Sequence, residues 1–199
     1  MRYKINEIFY SLQGEGFYTG TPAVFIRLSG CNLACPFCDT KHQEGDFYEL
    51  PELLKEVEKV YEGARPPLVV LTGGEPTLFA DGELCKALAA RFKVVAMESN
   101  GTRIPPEGVT FLTISPKEDF VENAEVRVSG ANELKLVYTG ENNPGKWFEK
   151  VQADYYFLQP CDTGDPEKNA EILASTLDYI KSHPWWRLSL QTQKIINVR

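Results

Sequence analysis

AVFIRLSGCNLACPFCDT, residues 23–40, joins an apolar strand-like run, Ala23 to Ser29, to a loop carrying Cys31, Cys35 and Cys38 in the spacing C-x-x-x-C-x-x-C. Thiolates this close together can converge on one metal centre. Three of them, rather than four, leave one iron of a cluster without a protein ligand, and an open coordination position separates a metal that does chemistry from one that staples a fold. A structural zinc site is the plainer alternative: His42 stands four residues after Cys38, so the string also writes as Cys3His. Against it, a tetrahedron is hard to close from one short loop, and structural zinc ligands usually come in two separated pairs. Phe37, immediately before the third cysteine, is placed to shield a cluster from solvent.

Outward from this loop, short β-branched and apolar runs alternate with helical patterns. Strands are expected at Ala23 to Ser29, Leu68 to Thr72, Val94 to Ser99, Phe111 to Ser115, Leu134 to Tyr138, Tyr155 to Pro160 and Arg187 to Leu190. Helices are expected at Pro51 to Gly63, Asp81 to Phe92 and Asp165 to Ser182, the second opening on Asp81 as N-cap, with one short helix between Pro144 and Ala153. This order calls for parallel strands joined by right-handed crossovers. Three connections are too short for a full crossover helix, so the fold class is α/β, an incomplete, abbreviated (β/α) barrel in a single domain over residues 1–199. The distinctive runs fall at the C-terminal ends of these strands, the edge where such barrels build active sites.

With 199 residues, 43% of them hydrophobic, the chain is long enough to bury one substantial core. Its net charge of -7, without any basic run, disfavours nucleic acid as a partner and points to a small substrate. MRYKINEIFY has no apolar signal region and no stretch is long enough to span a bilayer, so a cytoplasmic protein with no membrane partner is expected. Five cysteines, three of them crowded together, suit metal binding in a reducing compartment better than a disulfide framework. Cys85 reads as a buried apolar residue. With two histidines in the chain, histidine-based hydrolysis has little material.

The cysteine spacing with its aromatic resembles the radical S-adenosylmethionine (SAM) superfamily signature. TGGEP, residues 72–76, resembles the run by which those enzymes hold the amino group of the methionine portion. The resemblance narrows further. SLQGEG (11–16), FIRLSGCN (25–32), Cys38-Asp39-Thr40, TGGEPTL (72–78), ESNGT (98–102), SPK (115–117), FLQP (157–160) and LSLQTQK (188–194) occur in one order and are together similar to the 7-carboxy-7-deazaguanine synthase family.

That resemblance implies a small homodimeric enzyme of radical SAM fold. It would convert 6-carboxy-5,6,7,8-tetrahydropterin to 7-carboxy-7-deazaguanine, with ring contraction and loss of ammonia, on the route to queuosine. The cofactors implied are a [4Fe-4S] cluster, SAM and Mg2+, with an external electron donor such as flavodoxin or ferredoxin. Carried onto this chain, Cys31, Cys35 and Cys38 would hold the cluster and Thr40 the Mg2+. Leu12, Gln13, Gly14, Thr72 and Arg199 would line the pterin, and Arg27 would hold its carboxylate. SAM would lie among Phe37, Cys38, Asp39, Gly74, Glu75 and Ser99, with Asn100 and Thr102 shaping the rim and with Ser115, Pro116, Lys117 and the run Gln159, Pro160, Cys161 and Asp162 completing the pocket.

One departure stands near the end, where Gln193 occupies a position the resemblance assigns to histidine. Gln191, Gln193 and Lys194 are therefore read as supporting groups rather than acid-base catalysts. Two rival functions share the cysteine motif: a glycyl-radical-enzyme activase, and a non-catalytic zinc or iron-sulfur module.

Overall fold

Strand β2 (Pro22–Leu28) shows how the layers are set. Val24, Ile26 and Leu28 join the core beneath the helices, while Ala23 and Phe25 join a second apolar cluster on the opposite face. Arg27 continues that second row, as the two-residue period of a strand requires.

A computed structural model, describing residues 2–199, extends this pattern into one nine-stranded sheet. Its other strands are β1 (Arg2–Leu12), β3 (Asp46–Glu49), β4 (Leu68–Gly73), β5 (Val94–Ser99), β6 (Phe111–Ile114), β7 (Gly130–Tyr138), β8 (Gln152–Pro160) and β9 (Trp186–Leu188). The order β3-β1-β2-β4-β5-β6-β7-β8-β9 never returns on itself, so the sheet is an open, abbreviated barrel. From β2 to β9 every pairing is parallel, as expected. The antiparallel additions are β1, paired with both β2 and β3, which the apolar pattern did not announce.

The reason lies in a bulge. Tyr3 and Ile5 face the helix-covered core, but the register slips between Ile5 and Glu7, so Ile8 takes over that face while Glu7 and Phe9 turn to the concave one. An extra residue inverts the inside-outside alternation. RYKINEIFYSL therefore shows no continuous two-residue period to recognise.

Helices α1 (Leu50–Lys59), α2 (Gly82–Ala89), α3 (Gly145–Lys150) and α4 (Pro166–Ser182) cover the convex face, with α5 (Thr192–Ile195) beyond β9. Their apolar stripes, among them Leu53, Val57, Leu84, Cys85, Leu88 and Trp147, are fully buried. Asp81 caps α2 through the Leu84 N–H and also accepts from the Tyr3 hydroxyl, tying β1 to the helix layer. Helix α1 stops at Lys59 rather than Gly63, because residues 60–63 form a turn ending on Gly63 at φ 79°. No helix among the described residues is long and apolar enough to cross a membrane.

The concave face is closed at its lower end by aromatic rings. Phe9 stacks on Phe25 at 4.9 Å, and Phe17 stacks on Tyr155 at 4.3 Å while facing Phe111. Above this floor, at the C-terminal ends of the parallel strands, the sheet opens.

Candidate active site

A cavity of about 1060 Å³ occupies the open end, walled by the loops after β2, β4, β5, β6 and β8 and by the segment around α5. Cys31, Cys35 and Cys38 all border it. The loop that carries them is pinned at its base by the Gly30 N–H donating to the His42 carbonyl at 2.6 Å. Inside the loop, the Leu33 N–H donates to Cys31 Sγ and the Cys38 N–H to the Cys35 carbonyl. Phe37 meets Phe120 edge to face at 4.8 Å, which screens one flank. Asn32 bonds to Asn100 and Thr102, locking the loop to the turn after β5.

Burial pushes the Cys31 and Cys35 thiols up, and the neighbouring cysteines push both further. Three soft donors gathered on one loop beside a roomy cavity fit a [4Fe-4S] cluster with one iron left for a small molecule. His42 also borders the cavity, and its Nδ1 is buried with no hydrogen-bond partner among the described residues.

The paired glycines after β4 are sterically obligatory. A Cβ on Gly73 would lie 2.0 Å from the Leu28 carbonyl oxygen, and one on Gly74 2.1 Å from that of Gly30. The rim strand thus presses directly onto the cysteine loop. Glu75 behaves differently from a rim carboxylate: it is fully buried and accepts from Thr77 N and Oγ1, Ser99 Oγ and Asn100 N. It organises the wall rather than lining it, and Pro116 likewise does not reach the cavity.

Ser99, Asn100, Ser115, Lys117, Gln159, Pro160, Cys161 and Asp162 do border the cavity, with Phe37, Asp39 and Thr40. Lys117 is folded back on the carbonyl and hydroxyl of Ser115, both at 2.6 Å, and burial lowers its ammonium to about 8. Asp162 accepts from Lys194, Asn169 and the Gly164 N–H, and these bonds, Lys194 foremost, hold it at about 2. Lys194 also reaches Asp39 at 3.1 Å, so α5 bridges the cysteine loop and the end of β8.

Leu12, Gln13, Gly14, Arg27, Thr72 and Arg199 border the same cavity. Arg27 donates from Nε to Glu7 at 2.7 Å. A charged cluster absent from the sequence reading also borders it. Lys135 donates to Glu15 and Glu98, both at 2.8 Å, and Gln191 and Gln193 add donors to Glu15. Burial alone would lower the Lys135 ammonium, but Glu15, Glu98 and Glu133 carry it above its ordinary value. Against the upward pull of burial, Lys135 and the two glutamines hold Glu15 at about 2. Glu133, two residues from Lys135, is 1% exposed and burial raises it to about 7 while it accepts the Phe17 N–H at 2.7 Å. The signal for this cluster was ELKL within β7: two opposite charges two residues apart in an otherwise apolar strand, hence on one face.

Residues 25–125 match the Radical SAM superfamily model. Over its whole length the chain is 46% identical to the 7-carboxy-7-deazaguanine synthase of Bacteroides thetaiotaomicron, with 100% of both chains covered. It is 38% identical to the synthase of that name from Caulobacter vibrioides, again with full coverage of both. Among solved structures it resembles the crystal structure of QueE from Escherichia coli, with a TM-score of 0.75 and 28% identity over 96% of this chain and 94% of that one. The open sheet, the three-cysteine loop and these full-length likenesses agree, and the chain belongs to the 7-carboxy-7-deazaguanine synthase family of radical SAM enzymes.

Proposed function

We propose that this cavity holds SAM and 6-carboxy-5,6,7,8-tetrahydropterin side by side and forms 7-carboxy-7-deazaguanine with release of ammonia. The observation that carries the reading is that three cysteines, a glycine rim and an arginine-carboxylate wall share one cavity. When bound, a [4Fe-4S] cluster on Cys31, Cys35 and Cys38 together with SAM supplies the hydrogen-abstracting radical. What the chain itself supplies is placement.

Gly74 offers backbone at close range to the SAM methionine portion, while Ser115, Lys117 and Gln159 to Asp162 shape the other side of that pocket. Across the cavity, Arg27 offers its free guanidinium edge to the pterin carboxylate. Glu15 and Glu98, each bonded to Lys135, are acceptors suited to the N–H groups of the pterin ring. Leu12, Gln13, Gly14, Thr72 and Arg199 complete the enclosure that keeps water from the reacting carbon. A Mg2+ ion on the Thr40 hydroxyl, a homodimeric assembly, an external flavodoxin or ferredoxin as electron donor and a cytoplasmic location belong to the same proposal, on the strength of the family resemblance.

The test is anaerobic. Reconstituted protein given dithionite, SAM, Mg2+ and the carboxypterin should yield the deazaguanine, and omitting Mg2+ should slow it. Intact pterin with only slow SAM cleavage would overturn the substrate assignment, and specific capture of a large oxygen-sensitive enzyme would favour an activase instead.

A further inference from the structure

Glu7 is a carboxylate that two guanidinium groups share. Its Oε1 accepts from Arg27 Nε at 2.7 Å and its Oε2 from Arg199 at 2.5 Å. Phe9, two residues on and therefore on the same face of β1, lies under both cations, 6.0 Å from the Arg27 guanidinium carbon and 5.2 Å from that of Arg199. Ser11, the next residue of the row, donates to the Arg199 backbone oxygen at 2.6 Å. Glu7 and Phe9 border the cavity, and the bulge between Ile5 and Glu7 sets Glu7 directly opposite Arg27 in the β1–β2 register.

Two consequences follow from chemistry. Arg27 is engaged through Nε, and among the described residues neither terminal nitrogen has a hydrogen-bond partner, so the fork that suits a carboxylate stays open to the cavity. Arg199 also sets a second guanidinium over the Phe9 ring beside that of Arg27, so two cations flank the place a ligand carboxylate would take. We infer that Glu7 is a positioning residue for the substrate's carboxylate subsite: it orients Arg27 and seats Arg199 beside it.

The inference rests on the reading of Arg27 as the carboxylate-binding residue, so both are tested together. Holoprotein with cluster and SAM but no reductant is titrated calorimetrically with 6-carboxytetrahydropterin and with tetrahydropterin lacking the carboxylate. The wild type should prefer the carboxylated ligand, and Arg27→Ala should abolish the preference. Glu7→Ala should cut the preference by about tenfold, the scale of one coupled contact, while binding of tetrahydropterin stays within about twofold. Glu7→Gln, which keeps the shape and one acceptor oxygen, should fall between. Iron content and SAM affinity serve as the folding control.

If Arg27→Ala loses the preference but both Glu7 variants retain it, the Glu7 assignment falls and the Arg27 reading stands. If Arg27→Ala itself retains it, both fall. Equal weakening of both ligands by Glu7→Gln would mark a general packing role and overturn the inference as well.

Discussion

Gly74 lies against Cys31: a Cβ on Gly74 would stand 2.8 Å from the Cys31 Cβ. Two motifs more than forty residues apart in sequence therefore meet at van der Waals contact. Gly74→Ala must push the cysteine loop outward, and a displacement near 1 Å at a reacting centre costs roughly a hundredfold in rate. Product formation should fall by that order, and a thermal melt of the reconstituted protein should show how much of the loss is local.

Lys135, itself buried, neutralises two partly buried carboxylates at once. Lys135→Met should destabilise the protein by about 1.5–3 kcal/mol, because Glu15 and Glu98 would each lose a charge-assisted partner while staying largely out of water. Adding Glu98→Gln should recover part of that loss. Urea denaturation of the single and double variants checks both statements, and a double variant as weak as the single one would contradict the account.

Glu133 contributes a pH dependence of known sign. Its folded pKa, near 7, lies above the ordinary carboxylate value, so the folded state binds the extra proton; this stability is present below about 4.5 and is lost as pH rises through 7. Glu133→Gln removes the titration and keeps an acceptor for the Phe17 N–H. At pH 8 the variant should be more stable than the wild type by roughly 1–3 kcal/mol, with the gap narrowing toward pH 5. Equilibrium unfolding at the two pH values measures it.

Glu75 accepts from four donors in a dry environment. Glu75→Gln replaces one acceptor oxygen by an amide that must face those donors. A cost of about 2–4 kcal/mol is expected, with weaker SAM binding because Ser99 and Asn100 lose their anchor. Calorimetric titration with SAM should register the second effect separately from the melting temperature.

Much of this was legible from residue order. The cysteine spacing, Gly73 and Gly74, and the apolar runs of β2, β4 and β5 announce themselves because each rests on a local requirement: ligand reach, backbone clearance, burial on both faces. Arg27 was named only through the family resemblance, since a cation in an apolar strand also fits a solvated face. What stayed hidden depends on pairing across the sheet. The bulge that interrupts the alternation in β1 concealed both the strand and the turning of Glu7 toward the cavity. Glu75 read as a rim group because nothing nearby in sequence shows that Ser99 and Asn100, more than twenty residues on, supply its donors. Lys135 carried a local signal in ELKL, but its partners Glu15 and Glu98 come from other elements, so its role stayed hidden.

The sheet's failure to close has a consequence for traffic. A fully closed barrel would have to break ladder hydrogen bonds to let a flat bicyclic molecule pass sideways. Here residues 189–199 tie the β1 end to the β8 end, through backbone bonds from Ser189 to Leu158 and from Thr192 to Gly14, through Gln191 and Gln193 on Glu15, and through the exposed ion pairs of Lys194 and Arg199. The ion pairs, being exposed, exchange with water at little cost. This segment is therefore the part of the cavity wall that hangs on side chains rather than on a strand ladder, and hydrogen exchange at residues 194–198 should be faster than in β4 and β5.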